Sequence, residues 1–277
     1  MKKIVVFYHK NCLDGFTSAW VAWKKFGARA DYIGLDPRRP AVPHLKNKTI
    51  YFLDIICSKQ DLRKLVRENE NVTVIDHHVS RKDIIHLASD AFFSLDHSGA
   101  VLSWHYFHPN KKIPKLLLYI EDYDLWRFKL SGTKEINAEL GTHPFDFKEW
   151  GRVIADFENP AKRKKIITIG KVLVAADHKI ARQIVENAKK VRFAGHSALA
   201  ANSPVLSSEI GHEMLRRGFP IGIIWSEENE GVNVSLRSKK GIDVPKIAKK
   251  YGGGGHKQAA GFSLRNTMRF PWRKIAK

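Results

Sequence analysis

Cysteine is nearly missing from this chain. Cys12 and Cys57 are its two cysteines in 277 residues, too few for a disulfide framework. From sequence they read both as buried reduced thiols and as members of a site. No apolar stretch approaches the roughly 20 residues that a membrane-spanning helix needs. Met1-Lys2-Lys3 opens a short apolar run that stops at His9, with no small-residue cleavage site behind it. The run therefore reads as a first strand rather than an export signal, and the chain as cytoplasmic with no membrane partner. Repeats and low-complexity tracts are also lacking. With 43% apolar residues the chain has material for packed cores, which excludes a disordered polymer. Its length suits one large domain or two ordinary ones.

Acid is in short supply. Asp and Glu number 28 against 48 Lys and Arg, a net charge of +20. The imbalance is uneven. Residues 1–159 carry 24 basic and 20 acidic side chains, residues 160–192 carry 10 and 2, and residues 193–277 carry 14 and 6. A positive field confined to the later part of a chain attracts polyanions and speeds their encounter. A merely Lys-rich soluble surface would give the same totals.

What is present reads as strands alternating with helices, the pattern of βαβ units and a mostly parallel sheet. Apolar runs predict strands at 4–8, 31–35, 50–53 and 72–75, with short ones at 84–87 and 91–93. Helical spacing predicts helices over 15–23 (stopped by Gly27), 60–69, 98–107 and 114–124. Residues 160–192 read as one long basic helix connecting two units. Beyond it, 198–201, 221–225 and 231–236 read as strands, the last two joined in a hairpin by residues 226–230. Helices are expected at 207–217 and 243–251, and the tail 267–277 as ordered only in part. The expected fold class is α/β: a parallel sheet flanked by helices, a connecting helix, a smaller C-terminal α/β domain, and an active-site cleft between the two.

Three predicted strands end in polar chemistry. Ile4-Val5-Val6-Phe7-Tyr8 runs into His9-Lys10-Asn11-Cys12-Leu13-Asp14. Ile50-Tyr51-Phe52-Leu53 ends at Asp54. Val72-Thr73-Val74-Ile75 delivers Asp76-His77-His78. Ligands of an open parallel sheet bind outside the carboxyl ends of its strands. Carboxylates mixed with imidazoles suit Mn, Mg, Fe or Zn and point to metal-assisted hydrolysis. A second signal is Gly252-Gly253-Gly254-Gly255-His256. Lacking Cβ, such a run lets backbone N–H groups approach an anion. Arg237 and Ser238 at a predicted strand end suit a phosphate as well. Of the remaining histidines, His97 stands before a predicted helix N-terminus that would accept an anion.

Together these residues closely resemble the DHH phosphoesterase superfamily with its DHH-associated C-terminal domain, over nearly the whole chain. The order of His9 and Asp14, Asp54, the Asp-His-His triplet, Asp122 and the Gly-Gly-Gly-Gly-His segment carries the resemblance. It implies a catalytic metal-binding domain over 1–159, a connector over 160–192 and a substrate-binding domain over 193–277. It also implies two divalent ions, Mn2+ first, with Mg2+ or another divalent ion as alternatives. His9 and Asp54 would hold one ion. Asp14, Asp54, His77 and a carboxylate on the later helix, Asp122 in preference to Asp124, would hold the other. Asp76 would be a ligand or anchor, and His78 would contact the scissile phosphate or protonate the leaving group. Arg237, Ser238, Gly254, Gly255 and His256 would hold substrate phosphates.

The first segment departs from the family pattern. Its usual leading aspartate is absent, with Asn11 and Cys12 in its place, a weaker and a softer donor. The implied activity is that of a metal-dependent phosphodiesterase of the exonuclease or oligoribonuclease type. Its substrates would be short single-stranded RNA or DNA or related nucleotides, with bases stacking on aromatics such as Trp126, Trp225, Phe270 or Trp272. Polyphosphate is the alternative substrate, and a non-catalytic nucleotide-binding protein the alternative class. A homodimer is compatible with all of these.

Overall fold

Runs of β-branched and aromatic residues build the strands of the computed structural model, which describes residues 1–38, 40–228, 231–265 and 269–275. It divides into two compact units, residues 1–174 and 175–277.

The first unit carries β1 (Ile4–His9), α1 (Leu13–Phe26), β2 (Ala30–Leu35), β3 (Thr49–Leu53), α2 (Lys59–Glu68), β4 (Asn71–Asp76) and β5 (Asp90–Phe93). Then come α3 (Gly99–Phe107), α4 (Lys115–Asp124), α5 (Thr133–Leu140), α6 (Phe147–Glu158) and the start of α7 (Pro160–Glu186). Its sheet runs β2-β1-β3-β4-β5, and every neighbouring pair is parallel. All five carboxyl ends therefore meet one edge. The chain leaves β1 to one side for β2 and returns on the other side as β3. That reversal opens a crevice between the ends of β1 and β3.

Alternation along the strands sends Val5 and Phe7 to one face, with Phe52, Val74, Leu62 and Leu65, and Val6 to the other, with Ile75, Phe16, Trp20, Trp104 and Trp150. Two covered faces explain why these strands read as continuous apolar runs. Residues 85–87, expected within a strand, form a single 3-10 turn instead, and β5 alone carries the sheet onward at that point.

The second unit takes in the end of α7, then β6 (Lys189–Phe193), β7 (His196–Asn202), α8 (Ser207–Arg216), β8 (Ile221–Glu228), β9 (Gly231–Ser238), α9 (Val244–Lys249), β10 (Gly254–His256), β11 (Ala259–Arg265) and β12 (Arg273–Lys274). Its seven strands lie in the order β10-β11-β9-β8-β7-β6-β12, with β7 and β8 parallel and the other pairs antiparallel. The long helix ends at Glu186, so residues 189–192, expected inside the connector, already belong to strand β6. The boundary between units falls within that helix. Strands β8 and β9 pair as the expected hairpin, although residues 229 and 230 of its turn lie outside the described residues, as do 266–268 and 276–277 near the tail. Among the described residues no helix is long and apolar enough to cross a membrane.

Candidate metal centre

Strand β1 delivers His9 to the sheet edge. Asn11 then takes a left-handed conformation, φ 57°, which Asn tolerates, and turns the chain into α1. Asp14 in the first turn of that helix is buried. One residue beyond β3, Asp54 also adopts a left-handed backbone, φ 58°, while its N–H donates to the Ile75 carbonyl at 2.9 Å. This turns the Asp54 carboxylate into the crevice. Its Oδ2 lies 3.1 Å from His9 Nδ1 and its Oδ1 3.0 Å from His77 Nε2. The two oxygens of one carboxylate thus face two different histidines.

His77 Nε2 also lies 3.5 Å from Asp124 and 3.8 Å from Asp14. Three clusters of metal-ligating groups result among the described residues, with the ligand atoms in each within 4.8 Å of one another. They are His9, Cys12 and Asp54; Asp14, His77 and Asp124; and Asp54, Asp76, His77 and His78. Asp54 and His77 belong to two clusters each.

Asp76 holds the triplet in shape. Its Oδ1 accepts from the backbone N–H of His77 at 2.7 Å and of His78 at 3.1 Å, and pairs with His78 Nδ1 at 2.6 Å. Its other oxygen, fully buried, has no hydrogen-bond partner among the described residues. A buried carboxylate oxygen without a partner is costly, and a cation among these donors would satisfy it. Burial, with Asp54 and Asp124 close by, raises the Asp14 carboxyl well above its ordinary range. Burial acts to lower the affinity of His77 for a proton, but Asp54, Asp124 and Asp14 more than reverse that and push its pKa up to about 10. Burial likewise opposes ionisation of Asp54, yet hydrogen bonds with His77 and His9 hold its pKa low. Burial pushes the Cys12 thiol up, and Asp54, Asp124 and Asp14 add to that. Such converging carboxylates fit one or more divalent cations.

Several sequence expectations change here. Asp124, not the preferred Asp122, joins the cluster. The Asp122 carboxylate is taken up by the loop after α4, accepting from Lys129 N at 2.9 Å, Leu130 N at 3.0 Å and Thr133 Oγ1 at 2.6 Å. Asp122 therefore shapes the loop that follows Asp124. The N-terminus of α3 is likewise filled, which leaves no place there for an outside anion beside His97. Gly99 N and Ala100 N donate to the Asp14 carboxylate at 2.7 and 3.0 Å, and Ser98 N donates to Glu121, which also pairs with His97. The helix dipole and these N–H donors favour the ionised form of Asp14, a smaller effect than the burial and neighbouring carboxylates that raise its pKa.

Sequence reasoning did not register Gly99. A Cβ there would lie 2.6 Å from Asp54 Cβ and 2.9 Å from an Asp14 carboxylate oxygen. Gly99→Ala is expected to lower divalent-ion affinity by roughly 10- to 100-fold, as disturbing ligand supports does. It should also destabilise the protein by about 1–3 kcal/mol through overpacking. Calorimetric ion titration and urea unfolding would measure both, and wild-type affinity in the variant would refute the contact.

In the second unit Arg237 of β9 and His256 of β10 both pair in register with Ala259 of β11, one on each side. They share a row across three strands. The Arg237 guanidinium donates to Ser208 Oγ at 2.8 Å, and Gly211 of α8 leaves room for its stem. Ser238 is buried with its Oγ donating to Ile242 O at 3.1 Å, so the fold itself takes up that hydroxyl. Of His256 the backbone alone is described. The glycine run has a structural cause: a Cβ at Gly253 or Gly255 would collide with the backbone of Gly261 or Ala259 on the neighbouring strand. Phe270 stacks on Trp272 and meets Trp225 at a tilt, and Trp126 packs edge-on to Tyr123 and Phe128.

Residues 170–275 match the family model of the DHHA1 domain, later in sequence than β4, which ends at the first residue of the Asp76-His77-His78 triplet. The later part of the chain thus carries a DHHA1 domain. An uncharacterized protein of Acanthamoeba polyphaga mimivirus is 29% identical over 289 residues, covering 94% of this chain and 67% of the viral protein. A bifunctional oligoribonuclease and PAP phosphatase of Thermus thermophilus is 44% identical over a 48-residue stretch, 17% of this chain and 15% of that protein. Among solved structures, the DHH domain of a member of the s1p family of ribosomal proteins superposes with TM-score 0.62 at 13% identity, covering 96% of this chain and 83% of that one. A pGpG-specific phosphodiesterase of Vibrio cholerae superposes with TM-score 0.52 at 14% identity, covering 95% and 94%. Both structures share this chain's fold.

Proposed function

We propose that this DHH chain is a metal-dependent phosphodiesterase that hydrolyses short single-stranded oligonucleotides or related nucleotides. The observation that carries this reading is the division of the Asp54 carboxylate, one oxygen toward His9 and the other toward His77. Such a carboxylate suits a bridge between two divalent ions. His9 and Asp54 would hold one divalent ion and Asp14, Asp54, His77 and Asp124 a second, with Asp76 anchoring the triplet beside them. When bound, divalent ions of this kind acidify a water for attack on phosphorus and offset charge on the phosphoryl oxygens. Mn2+ is the expected ion by family resemblance, with Mg2+ as the alternative.

The chain's own groups do the rest. Asp76 fixes the His78 ring through Nδ1. Burial disfavours its charged form, but Asp76 outweighs that and the imidazole keeps its proton above the ordinary range. His78, partly open to solvent where His77 is closed off, contacts the scissile phosphate and gives that proton to the departing oxygen. Arg237, Gly254, Gly255 and His256 hold further substrate phosphates, as the family resemblance implies. The positive charge concentrated in residues 160–277 favours a polyanionic substrate. The 48-residue likeness to an oligoribonuclease and phosphatase favours nucleotides.

A substrate panel with Mn2+ tests the reading. A 5′-labelled RNA dinucleotide is expected to be cleaved to mononucleotides faster than long single strands or polyphosphate, and Asp76→Ala or His77→Ala to abolish cleavage while circular dichroism stays unchanged. Preferred release of phosphate from polyphosphate would make the chain an exopolyphosphatase. Two ions bound per chain with no hydrolysis of any substrate would make it a binding protein.

A further inference from the structure

Cys12 stands where the first segment departs from the family pattern. With Asn11 spent on the left-handed turn, Cys12 is the residue delivered to the crevice. Its Sγ lies within 4.8 Å of ligand atoms of both His9 and Asp54. It occupies the N-cap position of α1, yet its side chain makes no capping hydrogen bond. Ser, Thr, Asp and Asn are the residues that cap well, so helix capping does not account for a thiol here. Asp54 is shared between the Cys12 cluster and the cluster of Asp76, His77 and His78.

We propose that Cys12 is a thiolate ligand of the ion held by His9 and Asp54, giving that position a mixed N, O and S donor set that prefers Zn2+, Fe2+ or Co2+ to Mn2+ or Mg2+. The inference rests on the two-ion reading of the centre. Thiolate ligands select borderline and softer ions, whereas sites built from oxygen alone suit Mg2+ and Mn2+. On coordination the thiol proton passes to solvent and the sulfur lone pair binds the ion, with no change of oxidation state. The two positions thus differ in kind. His9, Cys12 and Asp54 take the softer ion, and Asp14, His77 and Asp124, with no sulfur among them, keep the harder one.

Cobalt spectroscopy on the full chain tests this without reference to turnover. After chelator treatment and dialysis, Co2+ is expected to produce a near-ultraviolet thiolate-to-cobalt charge-transfer band that saturates at one ion per chain. Cys12→Ser should lose the band and weaken Co2+ binding by at least about tenfold. Cys57→Ala, which removes the other thiol, should keep it. Cys12→Asp should lose the band and bind Mn2+ more tightly than wild type does. Should the variants misfold, the wild-type chain gives the same answer by mass spectrometry: bound Zn2+ should protect Cys12 from alkylation by iodoacetamide. Ions bound with no charge-transfer band and with Cys12 still alkylated would overturn the thiolate ligand and leave the two-ion centre standing. Failure of wild type to bind any divalent ion would overturn both.

Discussion

Asp54→Asn is expected to reduce hydrolysis about a thousandfold or more and to leave the fold intact. Asp54 is the residue on which both halves of the centre depend, with one oxygen 3.1 Å from His9 and the other 3.0 Å from His77. Losing its charge weakens the grip on two ions at once. Metal stabilisation of transition-state charge amounts to several kcal/mol, and ~4 kcal/mol corresponds to about a thousandfold in rate. Asn accepts the left-handed backbone that the position requires, so the change tests charge rather than conformation. Removing His9 alone would touch only one cluster, so His9→Ala should retain one ion where Asp54→Asn retains neither firmly. Elemental analysis after gel filtration, alongside initial rates on the preferred substrate, would measure this. Two ions still bound, with activity within about tenfold of wild type, would remove Asp54 from its bridging place.

The metal-free protein is expected to lose stability as pH rises from about 6.5 toward about 10, and divalent ions to restore it. In the folded chain His77 holds its proton up to about 10, against 6.5 when unperturbed. A group with a raised folded pKa stabilises the fold fully below its unfolded value and loses that contribution as pH climbs through its folded one. The Asp14 carboxyl, raised by burial and then by Asp54 and Asp124, acts in the same direction. The lowered pKa of Asp54 works the other way, but only in acid, where its contribution is lost as pH falls. Between neutrality and alkali the raised groups therefore set the slope.

A divalent ion replaces those protons as the counter-charge. At a concentration 100 times its Kd it adds about 2.7 kcal/mol, a rise of roughly 5–10 °C in Tm for a unit of this size. The rise should be larger at the alkaline end, where protons no longer shield the carboxylates. Urea midpoints in chelator across this pH range, repeated with Mn2+ or Zn2+, would show it. A flat or rising metal-free profile, or a midpoint that ions do not move, would contradict the buried cluster.

Much of the centre was legible because parallel strands covered on both faces must be apolar along their length. The first polar residue after each run therefore marks the ligand-binding edge. His9, Asp54 and Asp76-His77-His78 were found by that reasoning. Asp122 and Asp124 were not separable by it. They stand two residues apart at the end of α4, about 200° around the helix, and only the loop that folds back to donate to Asp122 leaves Asp124 for the site. Asn11 and Cys12 were equally open until the backbone assigned the turn to Asn11. The glycine run was read for anions alone; the close backbone of β11 beside Gly253 and Gly255 supplies a second cause. The anion site expected beside His97 failed because a side chain from α1, distant in sequence, already filled that helix end.

Local chemistry was enough to establish strands β1 to β5 of the first unit, that they run parallel, and that a set of carboxylates and imidazoles gathers at their ends. Apolar periodicity and strand-end polarity are properties of neighbouring residues, and neighbours are what a sequence records. Which carboxylate faces the crevice, which helix end is already occupied, and which of two adjacent side chains reaches the ion site were decided by tertiary structure. These depend on contacts such as Gly99 with Asp14, 85 residues apart along the chain, and Thr133 with Asp122 across the loop after α4, which form only when the helices pack.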